Sequence, residues 1–237
     1  MQGLRCAIED VDLAVAYAYP EDGPWLRANM ITSLDGAAWL DKRSGGLGGP
    51  ADQMVFSTLR GLADAIIVGA GTVRTEDYGP VRSAPGWNRL RTGRSPEPRL
   101  AIVSGRLVLD LDAPVFTESS EPPIVITSTS APSERRRAAA EHCHVIVAGD
   151  ERVDLPAALS ELTRLGYPRT LCEGGPRLLA QITAAGLLDE LCMTLSPLLT
   201  AGDAARILNG PDLPKTERLR LGHILTDEDF LFLRYSR

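Results

Sequence analysis

The chain has 237 residues, of which 44% are hydrophobic and 24% charged, so it is long enough to bury a full globular core. Its net charge of −6 argues against a general nucleic-acid binder, which must neutralise phosphates. No apolar run approaches the ~20 residues needed to span a bilayer, and the start, Met1 to Cys6, lacks the apolar core of a signal peptide. A cytoplasmic enzyme or binding protein is the expectation.

Residues 1–24 form an acidic, proline-punctuated lead-in, read as an extension packed on a single domain of residues 25–237. A first strand is expected from Trp25 to Ser33, closed by Leu34-Asp35-Gly36. A glycine-rich loop follows over 44–50, either a mobile lid or plain surface. Asp52 is then read as capping a helix whose Val55, Leu59 and Leu62 repeat at helical spacing. Asp64 to Gly69 reads as a short buried strand, and Ala70-Gly71-Thr72 turns into another helix. The stretch 79–97 reads as irregular, with Arg82, Arg89, Arg91 and Arg94. It is either a solvated surface loop or a segment in which one arginine, Arg82 foremost, holds a phosphate. Strands are expected over Arg99–Ser104, Pro123–Thr127 and Val145–Ala148, with helices over about 132–141 and 154–166. After the corner at Glu173-Gly174-Gly175-Pro176 come a helix, a strand Glu190–Leu195, and a hairpin of Leu219–Leu225 and Asp229–Tyr235 turning at Thr226-Asp227-Glu228. The strand–turn–helix succession predicts an α/β fold with a mostly parallel mixed sheet.

Cys6, Cys143, Cys172 and Cys192 are widely spaced with no Cys-x-x-Cys pair, which suits free thiols in a reducing compartment. His142 and His144 flank Cys143 in what reads as a strand, where alternation would put them on one face. No metal site is expected there.

Four corners stand at strand ends, where open α/β sheets bind ligands: Ser33-Leu34-Asp35-Gly36, Gly69-Ala70-Gly71-Thr72, Ser104-Gly105-Arg106 and Glu173-Gly174-Gly175-Pro176. The last offers a helix start with unpaired N–H groups after two glycines, a fit for a pyrophosphate. Gly69-x-Gly71 lacks the third glycine of a dinucleotide fingerprint, and there is no Gly-Lys-Ser/Thr phosphate loop. Asp35 reads as fixing its turn and Thr72 as a possible helix cap.

Taken in order, the stretches Asn29-Met-Ile-Thr-Ser-Leu-Asp-Gly36, Leu59 through Asp77, Pro98 through Ser104, Glu173 through Leu179, and Asp189-Glu-Leu with Ser196-Pro-Leu-Leu199 resemble the reductase domain of riboflavin biosynthesis. That family has a dihydrofolate-reductase-like fold: a mostly parallel mixed sheet with helices on both faces and, here, a C-terminal antiparallel hairpin. The zinc deaminase motif of the bifunctional relatives does not occur in this sequence, so the resemblance implies a stand-alone reductase.

The resemblance implies NADPH as cofactor, at Ile31, Thr72, Glu76, Ser104 and the run Gly174, Gly175, Pro176, Arg177, Leu178, Leu179, Ala180 and Gln181. Arg106, beside Ser104, could hold the 2′-phosphate. Arg60, Arg82 and Glu173 fall at substrate positions, the arginines toward a ribose phosphate and Glu173 toward an aminopyrimidine. Arg60 has the alternative of capping its own helix. Asn29 and Leu47 are further substrate positions; some relatives carry lysine at the first, and many carry Ser-x-Trp around the second. Glu173 and Asp77 are the candidates for moving protons, since no histidine falls in the site. A cis Gly174–Gly175 bond and a homodimer, with Glu190–Leu195 and Ser196-Pro197 near its interface, are also implied. The implied reaction is reduction of the ribosyl group of 5-amino-6-(5-phosphoribosylamino)uracil to ribityl. Dihydrofolate or another pterin is the alternative substrate, and a cofactor-binding protein without turnover is a third reading.

Overall fold

The computed structural model describes residues 5–237. In chain order the elements are β1 (Arg5–Ala7), α1 (Leu13–Ala16), β2 (Trp25–Thr32), α2 (Pro50–Leu62), β3 (Ala65–Gly69), α3 (Ala70–Thr75), α4 (Trp87–Leu90), β4 (Arg99–Val103), α5 (Pro114–Thr117), β5 (Ile124–Thr127), α6 (Ser133–His142), β6 (His144–Val147), α7 (Leu155–Arg164), β7 (Arg169–Cys172), α8 (Pro176–Ala184), β8 (Glu190–Leu195), β9 (Arg220–Asp227) and β10 (Phe230–Ser236). They build one 10-stranded sheet in the order β1-β9-β10-β8-β2-β7-β3-β4-β5-β6. Every pairing is parallel except those of β10, which runs against β8 and β9.

Central strands such as β3 are buried along nearly their whole length, because helices cover both faces. On one face Leu178, Leu179 and Ile182 of α8 and Leu155, Ala158 and Leu162 of α7 pack with Ile67, Ala101 and Ile126. On the other, Val55 and Leu59 of α2 meet Leu171 and Cys192, while Val73 and Ala139 of α3 and α6 meet Ile66, Val68 and Ile102.

Several sequence readings need correction. Gly49 caps α2 and Pro50 opens it, so Asp52 stands inside the first turn and does not cap it. The terminal hairpin turns on Glu228 and Asp229, since Asp227 already pairs with Phe230; Glu228 takes a left-handed φ of 46°, which a two-residue hairpin turn demands. His142 ends α6 while His144 opens β6, so the two histidines share no strand face.

Residues 79–97 contain the helical turn α4 and are anchored by two of their arginines. Arg91 is buried and donates to the carbonyls of Gly61, Ala63 and Ser95. Arg94 donates to the Leu62 carbonyl at 2.9 Å and to Asp64 at 2.9 Å. Both thereby cap the C-terminus of α2, whose last carbonyls have no partner within the helix. The cap considered for Arg60 is thus made by residues 30 positions further on.

A buried cluster ties the lead-in to the sheet. Glu190 and Arg27 are fully buried, with Arg27 Nε 2.6 Å from Glu190 Oε1. Arg234 brackets the same carboxylate at 3.0 Å to each oxygen, and its Nη1 donates to the Ala16 carbonyl. The Arg27 guanidinium stacks over the Tyr19 ring at 4.0 Å. Burial alone would raise the Glu190 pKa, but the two arginines outweigh it and hold the carboxyl below its usual range.

Candidate active site

Strand β7 is inserted between β2 and β3, although β2 and β3 are consecutive around α2. Such an inversion of order is where open α/β sheets bind ligands, and two of the four corners meet there. Gly69 N–H donates to the Gly174 carbonyl at 2.9 Å, and Glu173 N–H to that of Ile67 at 3.1 Å. The Gly174–Gly175 peptide is cis, as the resemblance implies, and Gly174 has φ +87°, a conformation that suits glycine. A Cβ on Gly175 would run into the Thr72 hydroxyl. Pro176 opens α8 directly after this pair, so the Arg177 and Leu178 N–H groups belong to the unpaired first turn. The Pro176 carbonyl accepts from Asn209 at 3.1 Å. Beside it Trp39, Asp203, Arg206, Leu208 and Asn209 line a groove of about 330 Å³.

Arg60, from the last turn of α2, reaches Glu173 in a bidentate pair, Nε to Oε1 and Nη2 to Oε2, each at 2.7 Å. The Tyr78 hydroxyl donates to the same Oε2, and Arg60 Nη2 lies 3.3 Å from that hydroxyl. Tyr78 gets there because Asp77, just past the end of α3, takes φ 53° and the Tyr78 N–H returns to the Val73 carbonyl, a left-handed helix stop that swings the next residue inward. The Glu173 side chain is only 3% exposed and that of Arg60 20%. The pairing raises the Arg60 pKa although burial opposes it. Burial, followed by the neighbouring Glu173 charge, pushes the Tyr78 hydroxyl well above its ordinary value. Glu173 is therefore spoken for largely by Arg60 and Tyr78, while Arg60 Nη1 makes no hydrogen bond among the described residues.

The sheet face under α2 meets a further carboxyl, Asp52 of that helix. In-register pairing of Arg27 with Glu190, Asn29 with Cys192 and Ile31 with Thr194 puts these side chains on one face, the face α2 covers. Asp52 is half-buried there. Burial raises its pKa, and the nearby Thr194 hydroxyl partly offsets this. The Oδ1 of Asn29 is buried without a partner.

The remaining candidates lie around this centre. Glu76, the residue following α3, accepts the Ser44 N–H at 2.9 Å, which ties down the start of the 44–50 loop. Leu47 is buried within that loop at 1% exposure. Ile31 is half-buried, Ser104 buried, and Arg106, Arg177, Gln181 and Asp77 exposed. Arg82 points to solvent and pairs loosely with Glu118 at 3.5 Å, outside the Arg60–Glu173 cluster. Tyr78, Asp52, Trp39 and Asn209 escaped the sequence reading. Of these only Asp52 carried a signal, being read as a cap.

Asp35 fixes its turn, as the sequence suggests. It accepts from Ser33 Oγ at 2.5 Å and from the Thr200 and Ala201 N–H groups at 3.2 and 2.6 Å. These bonds, that of Ser33 foremost, lower its pKa to about 2. A depressed carboxyl contributes stability above its unfolded pKa of roughly 4 and loses it as pH falls through the folded value. Hydrogen exchange at Thr200 and Ala201 should therefore accelerate between pH 4 and about 2, and unchanged protection there would contradict this clip.

Among the described residues no group of three or more His, Cys, Asp or Glu is placed to hold a metal, and no helix is long and apolar enough to cross a membrane.

Comparison with known proteins gives the site its context. The model of the RibD C-terminal domain matches residues 24–232. The 2,5-diamino-6-ribosylamino-4(3H)-pyrimidinone 5′-phosphate reductase of Archaeoglobus fulgidus is 30% identical over 213 residues, 86% of this chain and 97% of that protein. Its namesake from Methanothermobacter thermautotrophicus is 29% identical over 226 residues, 90% and 98% of the two chains. The crystal structure of a pyrimidine reductase-like protein from Corynebacterium diphtheriae superposes with a TM-score of 0.83 at 31% identity, covering 95% of this chain and 98% of that one. The chain belongs to the RibD C-terminal domain family, whose members named here are reductases.

Proposed function

We propose that the chain is an NADPH-dependent reductase of riboflavin biosynthesis, converting the ribosyl group of a ribosylaminopyrimidine 5′-phosphate to ribityl. The observation that carries this reading is the Arg60–Glu173–Tyr78 cluster standing beside the Gly174–Gly175 corner. It joins a charged substrate end to a helix start suited to a dinucleotide. The substrate is either 5-amino-6-(5-phosphoribosylamino)uracil or the 2-amino compound for which the two archaeal relatives are named.

The residues fit a nicotinamide dinucleotide. A close backbone corner that a Cβ at Gly175 would obstruct leads into the free N–H groups of α8. Thr72, Ile31 and Gly174 to Gln181 would line the cofactor, with Glu76 steadying the neighbouring loop and Ser104 and Arg106 toward a 2′-phosphate. When bound, NADPH supplies the hydride. The chain's part is orientation. Arg60 offers Nη1 to the substrate phosphate, and Glu173 and Tyr78 fix that guanidinium. Asp77 stands exposed beyond Tyr78 and is the candidate for exchanging a proton with water.

The test is turnover by the purified protein on both pyrimidine substrates with NADPH and NADH. NADPH-dependent appearance of the ribityl product supports the reading. Cofactor binding without turnover on any pyrimidine or pterin would leave the non-catalytic alternative. Gly175→Ala should weaken NADPH binding at least tenfold, because its Cβ meets the Thr72 hydroxyl; Thr72→Ser, which keeps that hydroxyl, should not rescue it, whereas Thr72→Ala should restore part. Unchanged affinity in Gly175→Ala would count against the cofactor's placement.

Dihydrofolate is favoured as a second reading by the Asp52–Thr194 pair, since a carboxyl beside a hydroxyl also suits an aminopterin ring. Turnover of dihydrofolate exceeding that of the pyrimidines would select it. We further propose a homodimer in a reducing cytoplasm. Leu34, Leu198 and Leu199 are 54%, 39% and 78% exposed, next to Pro197, and this patch is the proposed contact. The three buried free thiols fit the compartment. A monomer in light scattering would remove the dimer.

A further inference from the structure

We propose that Asp52 reads the 2-position of the substrate ring, so that the enzyme prefers the 2-amino pyrimidinone over the uracil. The inference rests on the reductase reading above. It begins with what Glu173 can no longer do. One of its oxygens accepts from Arg60 and Tyr78 and the other from Arg60 again, leaving a single acceptor direction on Oε1. A ring edge with two adjacent donors needs a carboxyl with both oxygens available.

Of the other carboxyls on this face, Glu190 is bound by Arg27 and Arg234, which leaves Asp52. It is half-buried, has no ion pair among the described residues, and lies near the Thr194 hydroxyl. Its Oδ2 faces the backbone of Gly48, where a Cβ would come within 2.7 Å, so the glycine-rich loop closes one side of it. Between Asp52 and Glu173 lies β2, with the Oδ1 of Asn29 buried and unpartnered. Asp52 and Arg60 are eight residues apart on α2, about 12 Å along the axis. The proposed substrate site is thus bipolar, with an acidic end at Asp52 and a cationic end at Arg60. A neutral aminopyrimidine with a phosphate tail fits that polarity in one direction only, ring at Asp52 and phosphate at Arg60.

The two candidate substrates differ at the atom Asp52 would meet. The 2-amino pyrimidinone presents its ring N3–H and exocyclic N–H side by side, and a carboxylate accepts both. The uracil presents N3–H beside the C2 carbonyl oxygen, which an ionised carboxylate repels. An amide, by contrast, accepts from N3–H and donates to the C2 oxygen. Asp52→Asn should therefore invert the preference.

The experiment is kcat/KM on both substrates with NADPH, for the wild type, Asp52→Asn and Thr194→Val. The wild type should favour the 2-amino substrate at least tenfold. Asp52→Asn should favour the uracil, and Thr194→Val should shrink the preference by removing the hydroxyl near the carboxyl. A wild type that turns over both equally, or prefers the uracil, overturns the inference and leaves the reductase reading standing. So does an Asp52→Asn enzyme that keeps the wild-type ratio. If that variant does not fold, the wild-type and Thr194→Val ratios decide. A wild type that reduces neither pyrimidine overturns the reductase reading itself.

Discussion

Replacing Arg60 with methionine should lower both stability and turnover, each by a large factor. The Glu173 side chain is 3% exposed and takes two hydrogen bonds from this guanidinium. Without Arg60 its charge stays buried with Tyr78 alone, a loss of about 3 kcal/mol by comparison with broken buried pairs. A charge-assisted contact to the substrate phosphate is worth about 1.5–3 kcal/mol, so kcat/KM should drop roughly 100-fold in whatever fraction folds. Arg60→Lys separates the two effects. It keeps a charge near Glu173 but cannot span both oxygens, so most stability should return and most activity should not. Full activity in Arg60→Lys would contradict the role given to the bidentate geometry.

Glu190→Gln should be the more damaging change to the fold, although Glu190 lies outside the crevice. Arg27 is fully buried against it and Arg234 brackets both its oxygens. Removing the negative charge leaves two cations facing one another, at a cost of about 3–5 kcal/mol. For a chain of this size that is a fall in Tm on the order of 10 °C. The Glu190 carboxyl is held below its usual range, so its contribution is present above the unfolded pKa of roughly 4 and lost as pH falls through the folded value. The variant's stability deficit should accordingly narrow in acid. A thermal melt showing wild-type Tm at neutral pH would contradict the account.

The fold was largely legible because its signals are local. Short apolar runs such as Ala65–Gly69 closed by glycine, each followed by a helical repeat, are read one segment at a time, and their succession predicts a parallel sheet. The Glu173-Gly174-Gly175-Pro176 corner was legible for the same reason, and the resemblance supplied its cis bond.

What escaped is what distant segments do to one another. Nothing near Arg91 and Arg94 announces that they cap a helix some 30 residues earlier. Glu190 lies 163 residues from Arg27 and 44 from Arg234, so no spacing links the three. Asp52 sits at a helix start, where a carboxylate ordinarily serves the helix itself. Only the sheet shows that it turns toward Thr194. Arg60 and Glu173 were both expected to meet substrate directly, because a sequence lists charges without showing which neutralise each other. Tyr78 joins them through the left-handed stop at Asp77, a conformation that residue identity permits but does not declare.

The central claim is hydride transfer from NADPH to the sugar carbon of a ribosylaminopyrimidine phosphate. The direct measurement is a single-turnover reaction of the purified protein with NADPH deuterated at the transferable position, followed by mass spectrometry of the product. The account predicts a ribityl product carrying one deuterium at the former anomeric carbon. An unlabelled product, or labelled NADPH that is consumed with dihydrofolate but not with the pyrimidine phosphate, would contradict it.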